Sequence, residues 1–488
     1  MTPLLWFVII YWIISVGIGL WAARRVHNSK DYAVAGRSLP LSIVTATVFA
    51  TWFGSETVLG IPATFLREGL GGILADPFGS SMCLVLVGLF FARPLYRMNL
   101  LTIGDYYRIR FGRTVETMTT LCIVLSYLGW VAAQISALGL VFNVVSDGWM
   151  SQEVGMIVGA STVLIYTMWG GMWAVAITDF LQMIIIVIGM LYIGWDVSQL
   201  AGGVVTVVNH AIDAGKFATF VPQFTLVGIL GFVAAWVTMM LGSIPQQDVF
   251  QRVASSKDEK TAGRSAILGG CMYFCFAFIP IFLAYSATLI DPQLVEKLIN
   301  ADKQAQLILP NLVLKHAPVF AQVMFFGALL SAIKSCASAT LLAPSVTFTE
   351  NILKPAFKNM GDVQLLKLMR IVVCCFTVMV TVFALNSNLS IYKMVENAYK
   401  VTLVSSFVPL VFGLYWKRAT VQGALAAVVF GLATWIWLEV FAPDAACPPQ
   451  LAGLIASFTG MIVGSYLPAW IGATPKEVPE ARGATREG

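Results

Sequence analysis

The chain has 488 residues, 58% hydrophobic and 11% charged, with mean hydropathy +0.82 and a formal net charge of +5. A soluble protein of this length carries about a quarter charged residues, so a soluble enzyme is excluded and an all-α polytopic membrane protein is expected. Seven of the eight cysteines lie in apolar stretches, with Cys447 in a loop. With the scattered His27, His210 and His316, they form neither a disulfide framework nor metal-ligand spacing.

At ~20 apolar residues per crossing, the hydropathy pattern predicts thirteen helices. They run over about 3–24, 40–66, 72–93, 115–146, 152–169, 172–196, 224–251, 263–290, 318–350, 366–386, 390–416, 420–441 and 450–471. The first lacks a basic leader and a small-residue cleavage site, so it reads as a retained span. The second contains ATVFATWFGSETVLG (46–60), where Gly54, Ser55, Glu56 and Thr57 put weak helix formers and an acid at membrane depth. Such a cluster is tolerated where the backbone faces a polar cavity, or where small residues pack against a neighbouring helix. The seventh carries Gly242-Ser243-Ile244-Pro245, where proline removes an amide donor. Paired interruptions in two halves of a chain point to a transport site.

Alternate loops separate by charge. Twenty-two of the thirty basic residues fall on one side, from Arg24 and Arg25 through Arg252 and Lys257 to Arg486. The positive-inside rule then puts the N-terminus outside and a polar tail, 475–488, in the cytoplasm. The outer loops 198–223 and 291–317 are too short for a soluble catalytic domain, so the site is expected inside the bundle, within a single transmembrane domain (1–474).

Five stretches together resemble the sodium:solute symporter family, which includes proline, pantothenate, choline, sialic-acid and sugar symporters. They are SKDYAVAGRSLP (29–40), ATWFGSET (50–57), GGMWAVAITDFLQ (170–182), GSIPQQDVFQRVASSK (242–257) and LLSAIKSCASATLL (329–342), supported by GLYWKR (413–418). The resemblance runs from about residue 5 to 470. It implies a LeuT-type core of two inverted five-helix repeats, about 40–197 and 224–416, with extra helices 3–24, 420–441 and 450–471.

It also implies a sodium site with carbonyls of Ala50, Phe53 and Ala332 and side chains of Ser335 and Cys336. Ala332, Ser335 and Cys336 share one helix face at i, i+3, i+4. Sodium prefers oxygen, so the Cys336 thiol is a poor ligand there. Asp179 and Ser338 match a second cation site of some members; Asp179 alternatively reads as a membrane-boundary acid. Lys334 departs from the apolar residue usual at its position. A lysine at membrane depth costs at least ~2.5–3.5 kcal/mol on insertion scales, so a partner is expected. Lys334 is expected to pair with Asp179 or Glu56 as a tethered cation, to exchange a proton, to bind an anionic solute, or to form a structural ion pair.

Gly54, Glu56 and Thr57 at the first break, Trp130 and Gln134 at i, i+4, and Trp236 and Met239 before the second break are candidate solute contacts. Glu396 and Lys400, at i, i+4, and Asp248 and Arg252, also at i, i+4, are expected ion pairs. Arg37 is assigned to gating or headgroup contacts. With Lys334, Glu396 and Lys400 in the interior, an anionic or zwitterionic solute such as an amino acid or carboxylate is favoured.

The function expected is sodium-coupled uptake of a small organic solute by alternating access. Proton-coupled or uncoupled transport with Lys334 as tethered cation, and a transporter-like nutrient sensor, are the alternatives. No enzymatic constellation is visible, and no cofactor is expected besides sodium, or a proton, as coupling ion. Expected partners are the solute, sodium and the lipid bilayer of a bacterial inner membrane, with no nucleic acid; the chain is expected to be a monomer or weak oligomer.

Overall fold

The computed structural model describes residues 3–357, 360–468 and 470, so the expected tail at 475–488 lies outside the described residues. Helices follow one another with short connections, and an isolated bridge between Leu39 and Ser256 is the one β-feature among the described residues. Eight helices are long and apolar enough to cross a bilayer, or ten with each bent pair taken as one span.

Among the described residues, each predicted span falls mainly on helix, the last ending at Tyr466. The expected spans 152–169 and 172–196 run as one stretch, Gln152–Leu200, bent at Gly171 (φ 49°, ψ −143°). A side chain there would meet the Tyr32 carbonyl at 2.5 Å, so the bend requires glycine. The expected 390–416 divides into Ile391–Ser405 and Phe407–Tyr415, bent by 43°.

The two interruptions read from the sequence are real breaks. Leu41–Trp52 stops, and after Phe53, Gly54 and Ser55 the chain resumes as a wide turn, Glu56–Gly60, leading into Ile61–Glu68. Leu226–Gly242 stops before Pro245, and Gln247–Ser255 continues at 45°.

Val319–Phe348 is the central pillar: every residue from Phe325 to Thr347 is buried. Its Ala-Ser-Cys-Thr-rich middle allows the closest helix approach, the way membrane helices associate without a hydrophobic driving force. It packs most extensively against Gln152–Leu200 and also against Arg113–Val145. By contrast, Pro3–Ala22 presents Trp6, Ile10, Ile13 and Ile14 outward, the pattern of a lipid-facing helix.

The two ends differ in charge. Arg37, Arg97, Lys257 and Glu259 group at one end, called here the basic end. Arg67, Asp302 and Lys393 group at the other. At that other end Asp291 takes the amide of Leu294 at 3.0 Å and lies 3.0 Å from His316 Nε2 and 3.4 Å from Lys315 Nζ. His316 first, then that amide and Lys315, hold its carboxyl below the usual range.

Candidate functional site

The first break frees backbone oxygens. In an unbroken helix the amides of Gly54 and Ser55 would bond the carbonyls of Ala50 and Thr51. Instead Gly54 N–H goes to Trp52 O (3.0 Å) and Ser55 N–H to Gln134 Oε1 (3.0 Å). The Ala50 carbonyl is thus available at a fully buried point, as the proposed cation ligand set requires. The pillar helix comes close here: a methyl built on Gly54 would lie 2.9 Å from Cys336 Sγ and 2.6 Å from Glu56 Oε2.

Above the break, Glu56 is 2% exposed and accepts from Trp130 Nε1 (3.0 Å) and Gln134 Nε2 (2.7 Å). Three residues singled out from sequence therefore meet at one carboxylate. Aromatic walls surround it: Trp52 stacks on Tyr399 (6.2 Å, 20°), and Trp130 lies 6.0 Å from Trp52 and 5.4 Å from Tyr399. Ser55 Oγ and Tyr399 OH are buried here without a hydrogen-bond partner, leaving polar capacity unspent.

Thr57 donates to Trp52 O (3.2 Å) and lies 3.1 Å from Tyr273 OH, which donates to Asp76 Oδ1 at 2.5 Å. Asp76, 2% exposed and also bonded by Ser80, was missed in the sequence reading. Its signal was there: an acid beside proline, Ala75-Asp76-Pro77, inside an apolar span. Among the described residues, neither Glu56 nor Asp76 has an ion-pair partner.

Below the break, Asp179 is fully buried and takes hydrogen bonds from Ser335 Oγ (2.6 Å) and Thr47 Oγ1. The pairing with Ser338 is corrected: Ser338 Oγ turns back to Ser335 O (3.0 Å), the local bond a helical serine makes readily. Asp179 thus joins Ser335 and the Ala50 side of the break, bringing a carboxylate to the expected sodium ligands. Ala332 and Cys336 are buried on the same pillar.

Lys334 is corrected as well. Its amino group donates to Ser15 Oγ (2.5 Å) and stands over the rings of Trp12 (4.5 Å), Tyr166 (5.3 Å) and Tyr11 (5.6 Å). It faces the N-terminal helix, away from Asp179 and Glu56, because Ser335 rather than Lys334 occupies the face toward Thr47. Ring faces and a hydroxyl partner the buried amine where a carboxylate was expected.

Two further expectations change. Trp236 sits in an aromatic cluster with Phe78, Phe220 and Phe232, away from Glu56, because its helix packs there against residues 74–79. Met239 is buried one turn before the second break. Glu396 forms no ion pair with Lys400 among the described residues; it lines a cavity of about 220 Å³ at the less basic end, with Arg67, Glu68, Asp302 and Lys393. Arg67 and Lys393 both contact Asp302 there.

Toward the basic end, every residue of the second half-helix, Gln247–Ser255, is buried. Asp248 and Arg252 are not a side-chain ion pair. Arg252 donates to the Asp248 carbonyl (3.1 Å) and to Thr51 Oγ1 (2.9 Å), while the Asp248 carboxylate takes Tyr127 OH (2.5 Å). The neighbouring glutamines tie it to other segments: Gln246 reaches Ser126, Gln247 accepts from the Ile103 amide, and Gln251 donates to Ala33 O. Arg37 lies over Tyr96 (4.3 Å), donates to its carbonyl (2.7 Å) and bonds Asn99, at the mouth of this end.

The model of the sodium:solute symporter family matches residues 32–431. The high affinity choline transporter 1 of Homo sapiens is 28% identical over 444 residues, 87% of this chain and 75% of that protein. The osmoregulated proline transporter OpuE of Bacillus subtilis is 25% identical over 484 residues, 94% of this chain and 93% of that one. A solved structure, the substrate-bound outward-open state of a Na+-coupled sialic acid symporter, superposes with a TM-score of 0.81 at 19% identity. It covers 97% of this chain and 99% of its own, which gives the fold as LeuT-type. Two broken membrane helices meeting at buried oxygens, and a family match over most of the chain, place this integral membrane protein among the transporters rather than the enzymes: it belongs to the sodium:solute symporter family.

Proposed function

We propose that the chain couples sodium to the uptake of a small organic cation, an amine or quaternary ammonium, held at Glu56. The observation that carries this reading is a buried carboxylate without a basic partner, walled by Trp52, Trp130 and Tyr399. Ring faces attract a desolvated ammonium by about 2 kcal/mol or more, and a carboxylate adds charge attraction. The case for an anionic solute rested on Lys334, Glu396 and Lys400 lining the interior. With Lys334 turned against the N-terminal helix and Glu396 in the cavity at the less basic end, that support is gone. The likeness to a choline transporter agrees with a cationic solute.

Sodium is held between the Ala50, Phe53 and Ala332 carbonyls, Ser335 and the Asp179 carboxylate, with Cys336 as a weak neighbour. The broken helices open the first members of inverted repeats over about 40–197 and 224–416. Rocking of this core exposes Glu56 first past the Arg67–Asp302 mouth, then past Arg252. The N-terminus is outside and the basic end cytoplasmic, in a bacterial inner membrane.

A thermal-shift panel of quaternary ammonium compounds, amino acids, carboxylates and sugars, in sodium and in potassium, tests this. A quaternary ammonium is expected to stabilise the purified protein in sodium alone, with the effect lost in Glu56→Gln. Sodium-dependent stabilisation by a sugar or carboxylate, and none by an ammonium, refutes it.

A further inference from the structure

Two buried acids lie on opposite sides of the first break. Below it, Asp179 faces Thr47 and Ser335, the expected sodium ligands. Above it, Asp76 faces Ser80 and Tyr273, and Tyr273 in turn meets Thr57. The two carboxylates share no partner. Their environments differ from that of Glu56 too: aromatic faces and an amide surround Glu56, whereas hydroxyl oxygens surround Asp76. Ser80 and Ser81 both also bond the Pro77 carbonyl, at 3.2 and 2.5 Å, so another oxygen lies in reach.

One carboxylate, three hydroxyls and a carbonyl, without thiol, imidazole or amine, form the donor set a hard monovalent or divalent cation selects. An isolated ionised carboxylate at this depth is costly without a compensating charge. Access is provided: Ala75, the residue before Asp76, lines the cavity of about 220 Å³ that opens between Arg67 and Glu396. Asp76 follows directly on that lining residue, so a cation entering from the mouth comes within one residue of it.

We propose that Asp76, with Ser80, Thr57 and Tyr273, forms a second sodium site, separate from the one at Ser335 and Asp179. Thr57 follows Glu56 in the chain, so an ion at Asp76 is felt one residue away by the carboxylate that takes the solute. The site orders the wide turn Glu56–Gly60 on the solute side, as the first sodium orders the end of Leu41–Trp52 on the other.

The proposal rests on sodium coupling as read above, and the test separates the two. Equilibrium binding of radioactive sodium to the purified full chain, without solute, is expected to saturate at two ions per chain. Asp76→Asn is expected to bind one, and Ser80→Ala to keep two with one weakened by roughly tenfold. One ion bound by the unaltered chain, or two retained in Asp76→Asn, overturns the second site. No sodium bound by the unaltered chain refutes the coupling reading itself. Should Asp76→Asn fail to fold, the stoichiometry of the unaltered chain and the affinity of Ser80→Ala decide.

Discussion

Replacing Lys334 by methionine should leave the protein nearly as stable as before, whereas removing what surrounds Lys334 should not. Burying its charged amino group costs ~2.5–3.5 kcal/mol on insertion scales. The hydrogen bond to Ser15 at 2.5 Å, charge-assisted, returns about 1.5–3 kcal/mol. Trp12, with its ring centre 4.5 Å from the nitrogen, returns about 0.5–2 kcal/mol. The two sides balance to within about 2.5 kcal/mol, so Lys334→Met, of similar length and apolar, shifts stability by less than that. Ser15→Ala with Trp12→Leu keeps the cost and removes the hydrogen bond and the nearest ring, leaving a buried charge with the Tyr11 and Tyr166 rings alone and costing up to about 3–5 kcal/mol. Made in the Lys334→Met background, the same pair loses packing alone. The four proteins form a thermodynamic cycle, read by chemical unfolding in mixed micelles, with an expected coupling of at least ~2 kcal/mol. Sodium-driven uptake should survive in Lys334→Met, because the side chain faces the N-terminal helix. A coupling energy near zero, or loss of sodium dependence in Lys334→Met, would refute this account.

Gly54→Ala places a methyl 2.6 Å from Glu56 Oε2 and 2.9 Å from Cys336 Sγ, and so is expected to destabilise by about 1–3 kcal/mol and weaken sodium stimulation of uptake. Adding Cys336→Ala removes the sulfur but not its Cβ, 3.0 Å away, so recovery of the melting temperature should be partial; full recovery would place the strain in the sulfur alone. For Asp291 the folded carboxyl titrates below its unfolded value, so its contribution is complete above about pH 4 and lost as pH falls through the lower folded value. Hydrogen exchange across 292–316, compared between neutral and acid pH, should show the loop loosening in acid, and Asp291→Asn should be loose at both. Equal protection of the variant and the unaltered chain at neutral pH would exclude the tether.

The residues legible in sequence were those whose meaning is local. Gly54 and Pro245 break helices by their own covalent geometry, so both interruptions were readable without neighbours. Trp130 and Gln134 could be joined by helical spacing, and one acid at a break was enough to suggest their target. What escaped depends on which neighbour covers a given face. A helical wheel separates Lys334 from Ser335 but does not say that Pro3–Ala22 lies on one side and Leu41–Trp52 on the other. Asp76 depends on Tyr273, almost two hundred positions away. Trp236 and Glu396 were assigned inward by proximity to a break or by charge, but the Trp236 helix packs against residues 74–79 and Glu396 lines the cavity beside Asp302.

The bridge at Leu39 has a mechanical meaning. Leu39 N–H bonds Ser255 O and Lys257 N–H bonds Leu39 O, both at 3.0 Å. Leu39 precedes the lower arm of one broken helix, and Ser255 ends the lower arm of the other. The arms are therefore yoked at their free ends, like two doors hung on separate hinges and joined by one latch bar. Under the alternating access proposed above, neither arm swings by itself without unfastening the bar, so opening at the basic end would be a single shared movement.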